Sequence, residues 1–180
     1  MSETAAGPTP RQSPFWRFSL KFYALPGVAP ACIGLQDRAG VDVNVLLFLL
    51  WNAAQGRVLD AAEVREVERL VGAWREMTVV PLRAVRRALK SPPRVVPPNA
   101  AEAFRARIKQ VELEAERLQQ EAMYELAASG RFGRPATNAV DAARASLDAY
   151  QAMLGPFPAA AAEAVLSAFA KFAAQPPECA

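Results

Sequence analysis

Apolar and polar positions along this chain recur at helical spacing. Ser13-Pro14 reads as a helix start, with Ser as N-cap and Pro at the first helical position. The aromatic-rich run 15–23 follows, and Pro26-Gly27 breaks it. A second helix is expected over 28–39, with small residues suited to close packing and Gly40 as its C-terminal stop. Asp42 then caps a third helix, 43–54, that is apolar on nearly every side. A helix without a polar face is one surrounded by others.

Asp60 and Glu63 form a capping-box signature. Val64, Val67, Val71 and Trp74 repeat at spacings of three and four, as in an amphipathic helix. Pro81 is expected to kink or interrupt it, since proline lacks the N–H and clashes with the preceding turn. The helix resumes over 82–90. Residues 91–98 (SPPRVVPP) hold four prolines and read as a semi-rigid connector. Asn99 with Glu102 marks another capped start. Beyond it Phe104, Ile108, Val111, Ala115, Leu118 and Ala122 form a narrow apolar seam between charged residues. Helices over 137–154 and 159–174 complete the chain. No stretch alternates at period two and no hairpin dipeptide occurs.

These elements predict an all-α fold: a compact bundle of about seven helices around the central apolar helix 43–54. The organisation expected is a disordered leader at 1–12, a helical core at 13–90, the connector at 91–98, and C-terminal helices at 99–180. The last group either packs on the core, giving a single domain, or forms an arm.

Composition narrows the chemistry. There is no histidine among the 180 residues. That removes Ser-His-Asp and Cys-His nucleophilic machinery in their usual forms, and His-ligated zinc or iron. No metal or cofactor motif is present, so no cofactor is expected. The net charge of +3 is too small to imply nucleic acid. Cys32 and Cys179 lie too far apart to suggest a structural disulfide; Cys32 reads as a small buried hydrophobe. No secretory signal is visible, and no run approaches the ~20 apolar residues of a membrane span. A cytoplasmic location is the expectation.

Three sets of residues could carry function. Gln36, Asp37, Asp42 and Asn44 cluster around the Gly40 turn. They serve either as caps and buried-polar partners or as a small polar site, with Asp37 and Asp42 as oxygen ligands or an acid/base pair. Arg83, Arg86, Arg87 and Lys90 fall on one helical face, followed by Arg94, and nothing acidic lies between Thr78 and Ala101. They are either a solvated helix end favoured by its dipole or a docking face for phosphate or an acidic partner. No aromatic residue interleaves them, which argues against single-stranded nucleic acid. Phe104, Ile108, Val111 and Leu118 could pair with the chain's own core or with another helix, including a second copy.

One segment resembles a known family. Phe15-Trp16-Arg17-Phe18-Ser19-Leu20, Pro26-Gly27-Val28, Leu35-Gln36-Asp37, Gly40, Asp42-Val43-Asn44, Leu46-Leu47-Phe48, Leu50-Trp51, Pro81-Leu82-Arg83 and Arg86-Arg87 resemble a proteobacterial family of conserved hypothetical proteins, a domain of unknown function. The resemblance spans 15–90 and implies a bacterial protein, with no activity to carry over. The residues themselves favour a non-enzymatic binding or adaptor protein engaging an acidic or phosphate-bearing partner through the basic face. The alternative is a small-molecule or metal-binding enzyme around Asp37, Asp42 and Asn44.

Overall fold

A computed structural model describes residues 12–175. The leader expected at 1–12, apart from Gln12, and Cys179 lie outside the described residues. The chain is all-α. Helices α1 (Pro14–Tyr23), α2 (Val28–Ala39) and α3 (Val43–Ala54) follow one another across short turns. Helix α4 (Ala61–Trp74), a π-helical turn (Arg75–Val79) and α5 (Val80–Ala88) form one continuous rod. Helices α6 (Pro98–Ala128), α7 (Ala139–Leu154) and α8 (Ala159–Ala173) complete seven helical rods. Among the described residues no single helix is long and apolar enough to cross a membrane.

Local chemistry sets the ends. Ser13 Oγ accepts from Trp16 N–H, Asp42 from Asn44 N–H, and Asp60 from Ala62 and Glu63 in a complete capping box. Helix α6 departs from expectation. It starts at Pro98 without a side-chain cap, so Asn99 does not cap it. Proline at the first position supplies the helical φ instead.

Pro81 does not interrupt the rod. The π-helical turn just before it shifts the pairing, so that Val80 N–H donates to Arg75 C=O five residues back. Thr78 Oγ1 donates to Trp74 C=O at 2.6 Å. The rod thus runs through the proline without a break in the helix.

Helix α3 is central, and every residue from Asn44 to Ala53 is buried. It packs on α1, α2, α6 and α7, while α8 covers α2. Phe48 is fully buried, its ring 5.5 Å from Phe15 and 6.2 Å from Trp51, and Trp51 meets Tyr124 of α6 at 5.7 Å. A pair of two-residue strands, β1 (Arg57–Val58) and β2 (Arg134–Pro135), ties the α3–α4 turn to the α6–α7 loop. The chain pattern gave no sign of it. Gly133 sits there at φ +77°, and a Cβ would lie 3.1 Å from that of Arg57. Glycine is therefore favoured on both counts.

Candidate functional site

The N-terminal edge of α3 is where polar side chains enter the core. Asp42 caps its helix through one carboxylate oxygen. The other accepts from Arg75 Nη1 at 3.0 Å and from Gln119 Nε2 at 2.8 Å. Arg75 Nη1 also pairs with Glu68 at 2.6 Å. Tyr150 O–H donates to Glu68 and accepts the Asp42 N–H. Five side chains from four helices and one turn thus bond one another inside the protein, with Gln119 Oε1 left without a partner among the described residues. Burial opposes the charge on Arg75, but Glu68 and Asp42 outweigh it and hold the guanidinium firmly protonated. Burial, reinforced by Glu68, pushes the Tyr150 phenol up, so it remains a neutral donor.

Beside this cluster lies a cleft of about 870 Å³. Ligand pockets typically fall in the range of about 300–1,000 Å³. Helices α1, α2 and α3 form one wall, α5 and α6 the other. Trp16, Leu20, Tyr23, Ile33, Val43 and Leu47 supply an apolar surface on the first wall. The second wall is charged.

Two sequence-level candidate sets meet in this one cleft. Gln36, Asp37 and Asn44 line it from the first wall, and Arg83, Arg86, Arg87 and Lys90 from the second. Asp42 is not part of the lining, and the structure does not bring it together with Asp37. Asp42 is buried on Arg75, whereas Asp37 is exposed and pairs with Arg87 at 3.0 Å. Among the described residues no group of three or more histidine, cysteine or carboxylate side chains is placed to hold a metal. Arg94 is exposed in the connector and is not among the residues lining the cleft.

The basic face is not an open positive surface. Arg83 binds Glu112 at 3.1 Å and Glu116 at 2.8 Å, and Arg86 binds both oxygens of Glu112. Sequence reasoning found nothing acidic near these arginines because their partners come from α6, nearly thirty residues on. A signal existed: Glu112, Glu116 and Gln120 recur every four residues, a polar stripe matching the arginine stripe. Burial pushes the Glu112 carboxyl up, but Arg86 and Arg83 together outweigh it and hold it below the usual range. Glu116 goes the other way. Burial, with the nearby charges of Glu112 and Asp42, raises it against the pull of Arg83.

Helix α6 consequently buries Glu112, Gln119 and Gln120 along with Ala101, Ala115 and Met123. Its apolar seam turns partly outward: Phe104, Val111 and Leu118 are exposed, and Ile108 is half-buried. None of the four lines the cleft.

Helix α5 has no fully buried residue, so the ionic bonds to α6 and Asp37 carry much of its attachment. We expect Glu112→Gln to speed hydrogen exchange within α5 by about tenfold or more, since charge-assisted bonds contribute about 1.5–3 kcal/mol. The sign with pH is fixed. Glu112 has a lowered folded pKa, so its stabilisation is present above the unfolded carboxylate value and is lost as pH falls through the folded value. Wild-type α5 should therefore loosen in acid toward the variant's behaviour. Unchanged exchange in the variant would contradict this attachment.

Sequence reasoning missed Ser19, Lys109 and Gln120 as cleft residues. Lys90 and Lys109 carry no ion pair among the described residues. Ser19 and Gln120 are 3% and 2% exposed, and Ser19 Oγ and Gln120 Oε1 have no hydrogen-bond partner among the described residues. Gln120 Nε2 is engaged, donating to Asn44 Oδ1 at 2.8 Å. Unpartnered buried polar atoms are uncommon in native folds and mark a position that a ligand can complete.

No curated protein and no solved structure matches the chain. A family model does, over residues 14–123, which run from the first residue of α1 through most of α6. The match extends past residue 90, where the sequence resemblance was expected to stop, and so takes in both walls of the cleft, including Glu112, Glu116 and Gln120. The chain belongs to the family described as protein of unknown function (DUF2390).

Proposed function

We propose that this protein is a binding module whose cleft takes an organic anion with an apolar body. The observation that carries this reading is the union of an apolar wall and a cationic wall around one concave site. Such a site buries a ligand's hydrocarbon against Trp16, Leu20 and Ile33. Its negative group is left to Lys90 and Lys109, the cations of the rim without ion pairs among the described residues. Because Arg83, Arg86 and Arg87 already hold carboxylates, the geometry favours a single ligand anion over a broad acidic surface. Among the residues lining the cleft no nucleophile is hydrogen-bonded to a base, which favours binding over catalysis.

Titration calorimetry with dodecanoate and dodecyl phosphate, kept below their micellar concentrations, tests the reading. Binding is expected with matching thermal stabilisation, by about 2.7 kcal/mol at a hundredfold excess over Kd. Lys90→Ala/Lys109→Ala should weaken it by about tenfold, equivalent to ~1.4 kcal/mol. Absence of binding by both compounds, or an unchanged Kd in the double variant, would refute the assignment.

A further inference from the structure

We infer that the cleft is directional: it selects an elongated anion that carries a hydrogen-bond donor, such as a hydroxyl, at the end remote from its negative charge. The inference rests on the binding reading above and adds the ligand's polarity and orientation. The pairs Arg83–Glu116 and Arg86–Glu112 set α5 antiparallel to α6. One further turn carries Lys90 toward Lys109, which places the two cations at one end of the cleft. Gln120 lies eleven residues beyond Lys109 on α6, a separation of about 16 Å along the helix.

The Gln120 end differs chemically from the lysine end. Gln120 Nε2 is committed to Asn44 Oδ1, so the vacant valence of the amide is its acceptor oxygen. Ser19 Oγ, also unpartnered and buried, belongs to the same cleft. A ligand that donates a proton to Gln120 Oε1 would satisfy a group that is otherwise buried without a partner, and Ser19 Oγ is a second such group in the lining. A ligand ending in a methyl group leaves both unsatisfied. The rest of the first wall, including Leu20 and Ile33, is apolar. The complement is a chain that is anionic at one end, apolar in the middle and hydroxylated at the other.

Comparing 12-hydroxydodecanoate with dodecanoate by calorimetry on the full-length protein isolates the far-end donor. The hydroxylated acid should bind about tenfold more tightly, the upper range for one net hydrogen bond. Gln120→Leu and Ser19→Ala should each reduce that ratio severalfold. Ser19→Ala removes an atom with no protein partner, so it stays informative even where Gln120→Leu unfolds. Equal affinities of the wild-type protein for the two acids would overturn the directional inference and leave the binding reading standing. So would a preference that survives in Ser19→Ala and in any folded Gln120→Leu. Binding of neither acid would overturn both.

Discussion

Replacing Phe48 by alanine should lower the unfolding free energy by about 3–5 kcal/mol, the usual cost of emptying a large buried aromatic site. The residue is inaccessible to solvent and sits at the middle of α3. Its ring meets Phe15 edge-on and is inclined at 30° to that of Trp51. Both neighbours are held by further contacts, Trp51 by Tyr124 on α6. The cavity therefore cannot collapse without moving α1 and α6 together, which places the cost toward the upper end. Urea denaturation of both proteins measures it. Leu20→Ala is the control: Leu20 is 45% exposed on the cleft wall, and its loss should cost well under half as much. A Phe48→Ala protein within about 1 kcal/mol of wild type would be incompatible with this core.

Arg75→Met should be comparably damaging, about 3–5 kcal/mol, for an electrostatic reason. The guanidinium bridges Asp42 and Glu68, whose side chains are 4% and 11% exposed. Removing the cation leaves two carboxylates in a poorly solvated site, and an uncompensated buried charge is costly. Methionine keeps much of the side-chain length, so lost packing is a small part of the effect. A second substitution separates the two causes. Adding Glu68→Gln to Arg75→Met removes one of the two stranded carboxylates and should recover part of the loss. A double variant no more stable than Arg75→Met would mean that the damage comes from packing alone.

Helix α3 has the same core role in the sequence as in the structure. Its apolar character on all sides leaves only a surrounded position, because no face could meet water without a large penalty. The caps at Ser13, Asp42 and Asp60 were equally legible, since one short side chain and a backbone amide two or three residues away decide them. The polar cluster at the Gly40 turn was legible as an unusual feature. Its division was not: Asp42 turns to Arg75, Gln119 and Tyr150 inside the protein, while Asp37 stays outside with Arg87. Nothing local to residues 36–44 distinguishes those fates.

Helix α6 is where the chain pattern misled. Phe104, Val111 and Leu118 mark the face that hydrophobicity would bury, yet they are exposed, and Glu112, Gln119 and Gln120 are inside. The pattern counts each polar residue as a cost of burial. Partners from elsewhere cancel that cost, with Arg83 and Arg86 on Glu112, Asp42 on Gln119 and Asn44 on Gln120. Those pairings join residues far apart in the chain, so no window along it contains both members.

The sequence by itself determined that this protein is all-helical, that α3 lies at its centre, and that the α3 N-terminal edge and the arginine stripe are chemically unusual. Each of these follows from short-range periodicity, capping and burial of apolar surface. Only the tertiary structure decided that the edge and the stripe are opposite walls of one cleft, that most of the stripe's charge is already answered by α6, and that Ser19 Oγ and Gln120 Oε1 have no partner among the described residues. Those facts depend on which helix lies across from which, and that is set by long-range packing and charge pairing.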